Sequence, residues 1–220
     1  MKTNRFVLAL SSISLLLLVS CKKDPVTPGI TFQVSNSAAV APIVGSITGA
    51  SVLWTAGFAN TVEIEFEAKN KNVEIEYKSE AYQRVNLFST LSTLGVITVP
   101  PGTYEDIEFE MEVKPLGTEP ALQLTGTYTN VGIANPLVFK INTSLEIESK
   151  KSNITIAEGS SLKALTTLNF SLITTGVTAS MLDNATRSNN TIEISATINS
   201  NIYEIMLNNL KTCGGVEISD

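Results

Sequence analysis

Asp106-Ile107-Glu108-Phe109-Glu110-Met111-Glu112-Val113 alternates acidic and apolar side chains without a break. In an extended chain successive side chains point to opposite faces, so Ile107, Phe109, Met111 and Val113 line one face and the acids line the other. A helix would scatter the same four apolar residues around its circumference. The stretch therefore predicts a half-buried antiparallel strand. Residues 62–68 and 73–77 repeat the alternation around Lys69-Asn70-Lys71-Asn72, which predicts a hairpin closed by that loop. Pairing across it sets Phe66 opposite Ile75 and Ile64 opposite Tyr77 on the buried side. On the exposed side Glu67 meets Glu74 and Glu65 meets Glu76, an unfavourable opposition of like charges.

Working outward, further strands are expected at 30–35, 51–57, 84–88, 95–99, 121–128, 136–142, 144–148, 153–157, 165–173 and 191–197. Pro100-Pro101-Gly102, Leu116-Gly117-Thr118, Asn135-Pro136 and Glu158-Gly159-Ser160 supply turns between them. Many short strands without a long helical pattern predict an all-β fold, an antiparallel β-sandwich of immunoglobulin or transthyretin kind. Two short C-terminal helical segments are added. One is 178–185, with Thr178 as N-cap. The other is 201–211, with Asn199 or Ser200 ahead of it as cap and Ile202, Ile205, Met206 and Leu210 at helical spacing. No long linker interrupts 30–220, which reads as a single domain; a division near 115–120 would also leave enough strands for two small sandwiches.

Residues 1–20 read as a signal peptide, with Lys2 and Arg5 ahead of an apolar run over 6–19 that is too short to span a bilayer. Residues 21–29 read as a tether rich in proline and charge. The net charge is −6, and removing 1–20 takes away Lys2 and Arg5 and no acid, making it more negative by two. Such a body argues against nucleic acid, which is itself negative.

The chain has no histidine and two cysteines, Cys21 and Cys213. Without histidine there is no Ser-His-Asp or Cys-His nucleophile and no histidine zinc site. Cys213 reads as a small buried hydrophobe followed by a Gly214-Gly215 turn. Among the aspartates an acid dyad would have to use Asp106 and Asp183. Glutamates alternating on an open face lack the burial that a glycosidase acid requires. Ser160 and Lys163 have Ser-x-x-Lys spacing, but they follow a turn and enter a strand, and Lys211-Thr212 has cysteine where that motif set needs glycine. Trp54 and Tyr77 share the parity of buried positions, whereas Tyr82 and Tyr104 sit near turns and are expected to be exposed. The opposed glutamate rows raise the question of a divalent cation; the expectation is a solvated face, with no metal and no cofactor.

Leu18-Val19-Ser20-Cys21 resembles the bacterial lipobox, which implies acylation of Cys21 and attachment to a membrane through it. The blocks starting at Trp54-Thr-Ala-Gly-Phe-Ala, Ile64-Glu-Phe-Glu-Ala-Lys, Val99-Pro-Pro-Gly-Thr-Tyr, Leu124-Thr-Gly-Thr-Tyr and Asn208-Asn-Leu-Lys-Thr-Cys-Gly-Gly, together with Cys21-Lys-Lys-Asp, resemble uncharacterised β-sandwich lipoproteins of Bacteroidetes-type bacteria, loosely akin to fimbrillin-like and transthyretin-like modules. That resemblance implies a lipid-anchored protein of the cell envelope, at the outer membrane, facing either the periplasm or the surface. It carries over no catalytic residue. The function expected is a non-enzymatic binding or interaction module for a glycan, peptide or partner protein. A fimbrial or adhesin-like subunit assembling by strand addition is the alternative, and a glycan-active enzyme is the third class.

Overall fold

The computed structural model describes residues 29–219 except 38, 44, 45, 47, 48, 71–73 and 90, together with the side chain at 81. Cys21, the leader and most of the tether lie outside the described residues. In chain order the strands are β1 (Gly29–Asn36), β2 (Val40–Pro42), β3 (Ser51–Lys69), β4 (Glu74–Asn86), β5 (Ser92–Thr98), β6 (Gly102–Val113), β7 (Leu122–Asn130), β8 (Ile133–Ile141), β9 (Leu145–Ile156), β10 (Ser161–Leu168), β11 (Arg187–Ser188), β12 (Thr191–Ile194) and β13 (Gly214–Ser219). Two helices, α1 (Ala179–Asp183) and α2 (Ser200–Lys211), and a 3-10 turn at Phe170–Leu172 complete the described elements.

The axis of the fold is β3, 19 residues long. β6 and β7 follow one another along one side of it, Thr61 pairing with Val113 and Ala59 with Leu122. β8 and β9 run end to end in the same way along β7 and β6. β2 and β4 share the opposite side of β3. Two bulges in β3, between Trp54 and Ala56 and between Thr61 and Glu63, explain why the sequence reads there as two strands. Each extra residue shifts the parity, so Val52 and Trp54, then Ala59, then Ile64, Phe66 and Ala68 all reach the inner side.

Two cores form under this long sheet. The sheet β13-β10-β1-β5 covers its distal half, packing Ile30, Phe32, Ile97, Leu162 and Val216 against Ile64, Phe66, Ile107, Phe109 and Ile156. Phe32 meets Phe66 and Phe109 edge-on, at 6.0 and 4.5 Å between ring centroids. Over the other half the helices take the place of a sheet: Leu182, Ile202, Tyr203, Met206 and Leu210 close over Trp54, Leu124, Tyr128, Phe139 and Ile192. The chain is thus an all-β sandwich with short helical segments, as the alternation predicts. Two pairs, β1–β10 and β8–β12, run parallel and interrupt the antiparallel pattern.

Several local expectations change. In the β3–β4 hairpin Lys69 pairs with Glu74, so Phe66 faces Tyr77 and Glu65 faces Lys78, a register two residues away from the expected one. This register gives Lys69 and Lys78 acidic partners, at 3.6 Å to Glu74 and 2.9 Å to Glu65, where the expected one would set Glu65 against Glu76 and Glu67 against Glu74. Tyr77 is not in the core: it is 37% exposed, because the distal part of β4 hangs from β3 as an edge. Tyr104 is the reverse case, 1% exposed, with its hydroxyl donating to the Pro100 carbonyl at 2.8 Å. The turn folds the ring inward, in the manner of a tyrosine corner. β10 ends at Leu168, and the Asn169 side chain caps the 3-10 turn that follows. Gly214-Gly215 opens β13 instead of a turn. Asn135-Pro136 lies inside β8, before β12 joins at Leu137, so the proline stands where β8 has one neighbour.

The helix caps divide. Thr178 caps α1, its hydroxyl accepting from the Met181 amide at 3.2 Å. Asn199 precedes α2 but makes no side-chain cap; its amide ties together Thr186 and Glu193.

Candidate functional site

The outer face of β4-β3-β6-β9 is a ladder of carboxylates. Because the buried faces of these strands coincide, their acidic alternates coincide as well. One rung runs Glu76, Glu67, Glu108, Lys150; the next runs Lys78, Glu65, Glu110, Glu148; a third runs Glu80, Glu63, Glu112, Glu146. Directly opposed like charges destabilise a sheet, and here the opposition extends across four strands.

The chain's own cations meet part of this charge. Lys78 bridges Glu65 at 2.9 Å and Glu76 at 3.3 Å, and Lys150 bridges Glu108 at 2.9 Å and Glu148 at 3.3 Å. Lys114 reaches Glu112 at 2.8 Å. Among the described residues Glu63, Glu67, Glu80, Glu110 and Glu146 of the ladder have no ion-pair partner. Glu110, near the centre, is pushed up to about 7, first by desolvation and then by Glu146, Glu65, Glu148 and Glu108. Glu67 is raised as well, by desolvation and then by Glu65, Glu108 and Glu76. Glu110 is therefore close to half-protonated at neutral pH, a state that an added positive charge would reverse.

Glu108, Glu110 and Glu148 each place one carboxylate oxygen within 4.8 Å of the other two. Three oxygens at that spacing are part of what a hard divalent cation takes, the remainder coming from water. Lys150 already sits between two of the three. Open clefts flank the ladder: one of about 290 Å³ is lined by Glu67, Lys69, Glu74, Asp106, Glu108 and Lys150, and one of about 410 Å³ by Ser144, Glu146, Glu148, Lys211 and Thr212.

The other residues singled out in the sequence do not gather into a site. Cys21 lies outside the described residues. Cys213 is buried, and burial pushes its thiol up to about 12, which suits an inert packing residue. Asp106 receives the Ser152 hydroxyl at 3.2 Å on the ladder's margin. Asp183 receives the Tyr128 hydroxyl and the Asn130 amide, both at 2.9 Å, pinning α1 to β7. Asp106 and Asp183 are thus committed to different partners. Ser160 donates to the Ala157 carbonyl in a turn, while Lys163 lies within β10, so no helix brings them together. Trp54 is core; Tyr82 is exposed as expected.

What sequence reasoning missed is the joining of three separate glutamate runs. The signal was present in the shared period, but the neighbour relations β3–β6 and β6–β9 come from pairing between strands distant in sequence. No protein-family model, curated protein or solved structure matches the chain.

Proposed function

We propose that this chain is a non-enzymatic interaction module of the bacterial cell envelope, held to its membrane by an acylated Cys21, and that the β4-β3-β6-β9 face receives a lysine- or arginine-rich extended segment of a partner protein. The observation that carries this reading is the ladder's own use of ammonium groups: Lys78 and Lys150 each bridge two glutamates, while Glu63, Glu67, Glu80, Glu110 and Glu146 have no such bridge among the described residues. An extended segment with basic residues at alternate positions has the same two-residue period as Glu108, Glu110 and Glu112, so its side chains fall in step along β6. Opposite potentials also speed encounter and fix register. The resemblance to Bacteroidetes-type lipoproteins and the lipobox pattern support the envelope placement.

The test is titration of the full chain with a fluorescent peptide of alternating lysine and serine, beside its glutamate–serine counterpart. The basic peptide should bind, lose affinity at least tenfold with Glu67→Gln plus Glu110→Gln, and weaken as salt rises. Equal binding by wild type and the double variant would sink the assignment. A rise in Tm with millimolar calcium, in the absence of peptide binding, would transfer the face to a cation. Mass spectrometry of Cys21 for an acyl group tests the anchor separately.

A further inference from the structure

β9 ends the nine-stranded sheet, so one of its sides has no hydrogen-bonded strand. Part of that side is guarded. Gly214 of β13 lies so close to Glu148 and Ser149 that a Cβ on it would sit 2.9 Å from the Ser149 hydroxyl, and Lys150-Lys151 come next, a usual defence of a sheet edge. The run Leu145-Glu146-Ile147 has neither. An open cleft of about 410 Å³ borders it, lined by Ser144, Leu145, Glu146, Glu148, Lys211 and Thr212. In an antiparallel pair alternate residues turn both main-chain groups away from the partner strand. Pairing of this run with Val113, Glu112 and Met111 of β6 therefore leaves N–H and C=O groups facing the free side, and no backbone hydrogen bond takes them up among the described residues. Two opposite charges line the same cleft without meeting: neither Glu146 nor Lys211 has an ion-pair partner among the described residues. Glu146 stands on the ladder side of the edge. Lys211 ends α2, whose Leu210 shares the helix-covered core with Leu145 and Ile147, so it approaches from the core side.

We propose that this cleft takes an extended peptide segment of a partner protein as a strand added to β9, with a basic side chain on Glu146 and a carboxylate on Lys211, a contact beyond the docking of a lysine-rich segment on the open face. Each unpartnered feature selects the occupant. Free main-chain groups on a sheet edge are matched by another main chain in extended form. Successive residues of such a strand point to opposite faces, so neighbouring basic and acidic groups reach Glu146 on one side and Lys211 on the other. The carboxylate comes from an acidic side chain or from the segment's own C-terminus; the chemistry is the same. Other occupants fit less well. A divalent cation is repelled by Lys211, and a neutral glycan answers neither charge. A purely basic segment leaves Lys211 unmatched. A second copy that paired its own β9 about this point would set Glu146 against its counterpart, an opposition of like charges.

The test titrates the full chain with two fluorescein-labelled peptides and reads anisotropy. One, Ser-Val-Lys-Glu-Val-Ser with an amidated end, offers a side-chain carboxylate; the other, Ser-Val-Ser-Val-Lys with a free end, offers a terminal one. Saturable binding of the first assigns the acidic side chain, and of the second the chain terminus, in which case amidating that peptide should remove its binding. Glu146→Gln and Lys211→Gln, both at exposed positions, should each weaken binding about fivefold. Lys211→Gln should bind the lysine–serine peptide no less tightly than wild type, so that either contact can fail without the other. Strand addition has its own signature. N-methyl groups on one alternate set of peptide amides should abolish binding, and on the other set should leave it, because only one set faces β9. The proposal is overturned by binding of neither peptide, by wild-type affinity in Lys211→Gln, by equal effects of the two methylation sets, or by a second peptide that binds as tightly when amidated.

Discussion

Glu65 and Glu110 stand directly opposite each other across β3 and β6, and their charges are handled differently. Lys78 holds Glu65 at 2.9 Å, whereas Glu110 faces further glutamates and is pushed up to about 7. In the unfolded chain a glutamate ionises near 4.5. Between these values the folded protein keeps a proton that the unfolded chain has lost, so stability falls as pH rises from about 4.5 to about 7 and levels off above. After discounting for solvent screening the loss is about 1 kcal/mol. Urea midpoints of wild type should drop between pH 5 and pH 8, and Glu110→Gln should flatten that part of the profile while raising the midpoint at pH 8. A Glu110→Gln protein as pH-dependent as wild type would refute the assignment.

Asn199 combines a left-handed backbone, φ 56°, with three side-chain hydrogen bonds. Its carbonyl accepts the Thr186 amide at 2.9 Å, and its amide donates to Thr186 and Glu193 carbonyls at 2.9 and 2.7 Å. Alanine would lose all three bonds and pay the left-handed penalty as well. Asn199→Ala should cost about 3 kcal/mol, and Asn199→Gly about 1 kcal/mol less, since glycine adopts this backbone freely. Chemical denaturation of the pair measures both numbers. If glycine proves no better than alanine, backbone conformation is not part of the role.

Tyr104→Phe removes one hydroxyl and leaves the buried ring in place. The Pro100 carbonyl loses its donor at 2.8 Å, and the expected loss is about 1 kcal/mol. The urea m-value should stay constant, because the exposed area on unfolding is the same. A loss below a few tenths of a kcal/mol would mean that water replaces the hydroxyl at no cost.

The sequence is legible where one face is buried and the other wet. The run from Asp106 to Val113 declares its strand and both its faces, and Thr178 declares its cap. Legibility fails where the determining contact is distant. The hairpin register depends on whether Lys78 reaches Glu65, which no local pattern encodes. β3 reads as two strands because its bulges reset the parity at Trp54/Ala56 and Thr61/Glu63. Tyr104 looks like a turn residue because nothing nearby in sequence shows that its hydroxyl returns to Pro100. The carboxylate ladder is the same problem on a larger scale: each glutamate run is visible, and their adjacency comes from pairing between strands that are not consecutive in the chain. The Val131 turn shows a further limit, since Val-Gly is not a turn signal and only the pairing of Asn130 with Ile133 makes it one.

Gly126 sits on β7 opposite Trp54, beside the first bulge of β3. A Cβ at this position would run into the Leu53 carbonyl oxygen and lie 3.0 Å from the Trp54 ring. The obstacle is backbone on one side and a fully buried indole on the other, so neither can rotate away. Gly126→Ala should therefore push β3 and β7 apart at the centre of the helix-covered core and cost about 3 kcal/mol or more, in the range of severe overpacking. The Trp54 fluorescence spectrum should shift to the red as water gains access. Gly95→Ala is the control, because a Cβ there meets nothing within 4 Å; it should change stability by less than about 1 kcal/mol. Equal effects at the two positions would show that lost chain flexibility, and not the close approach to β3, sets the requirement for glycine at 126.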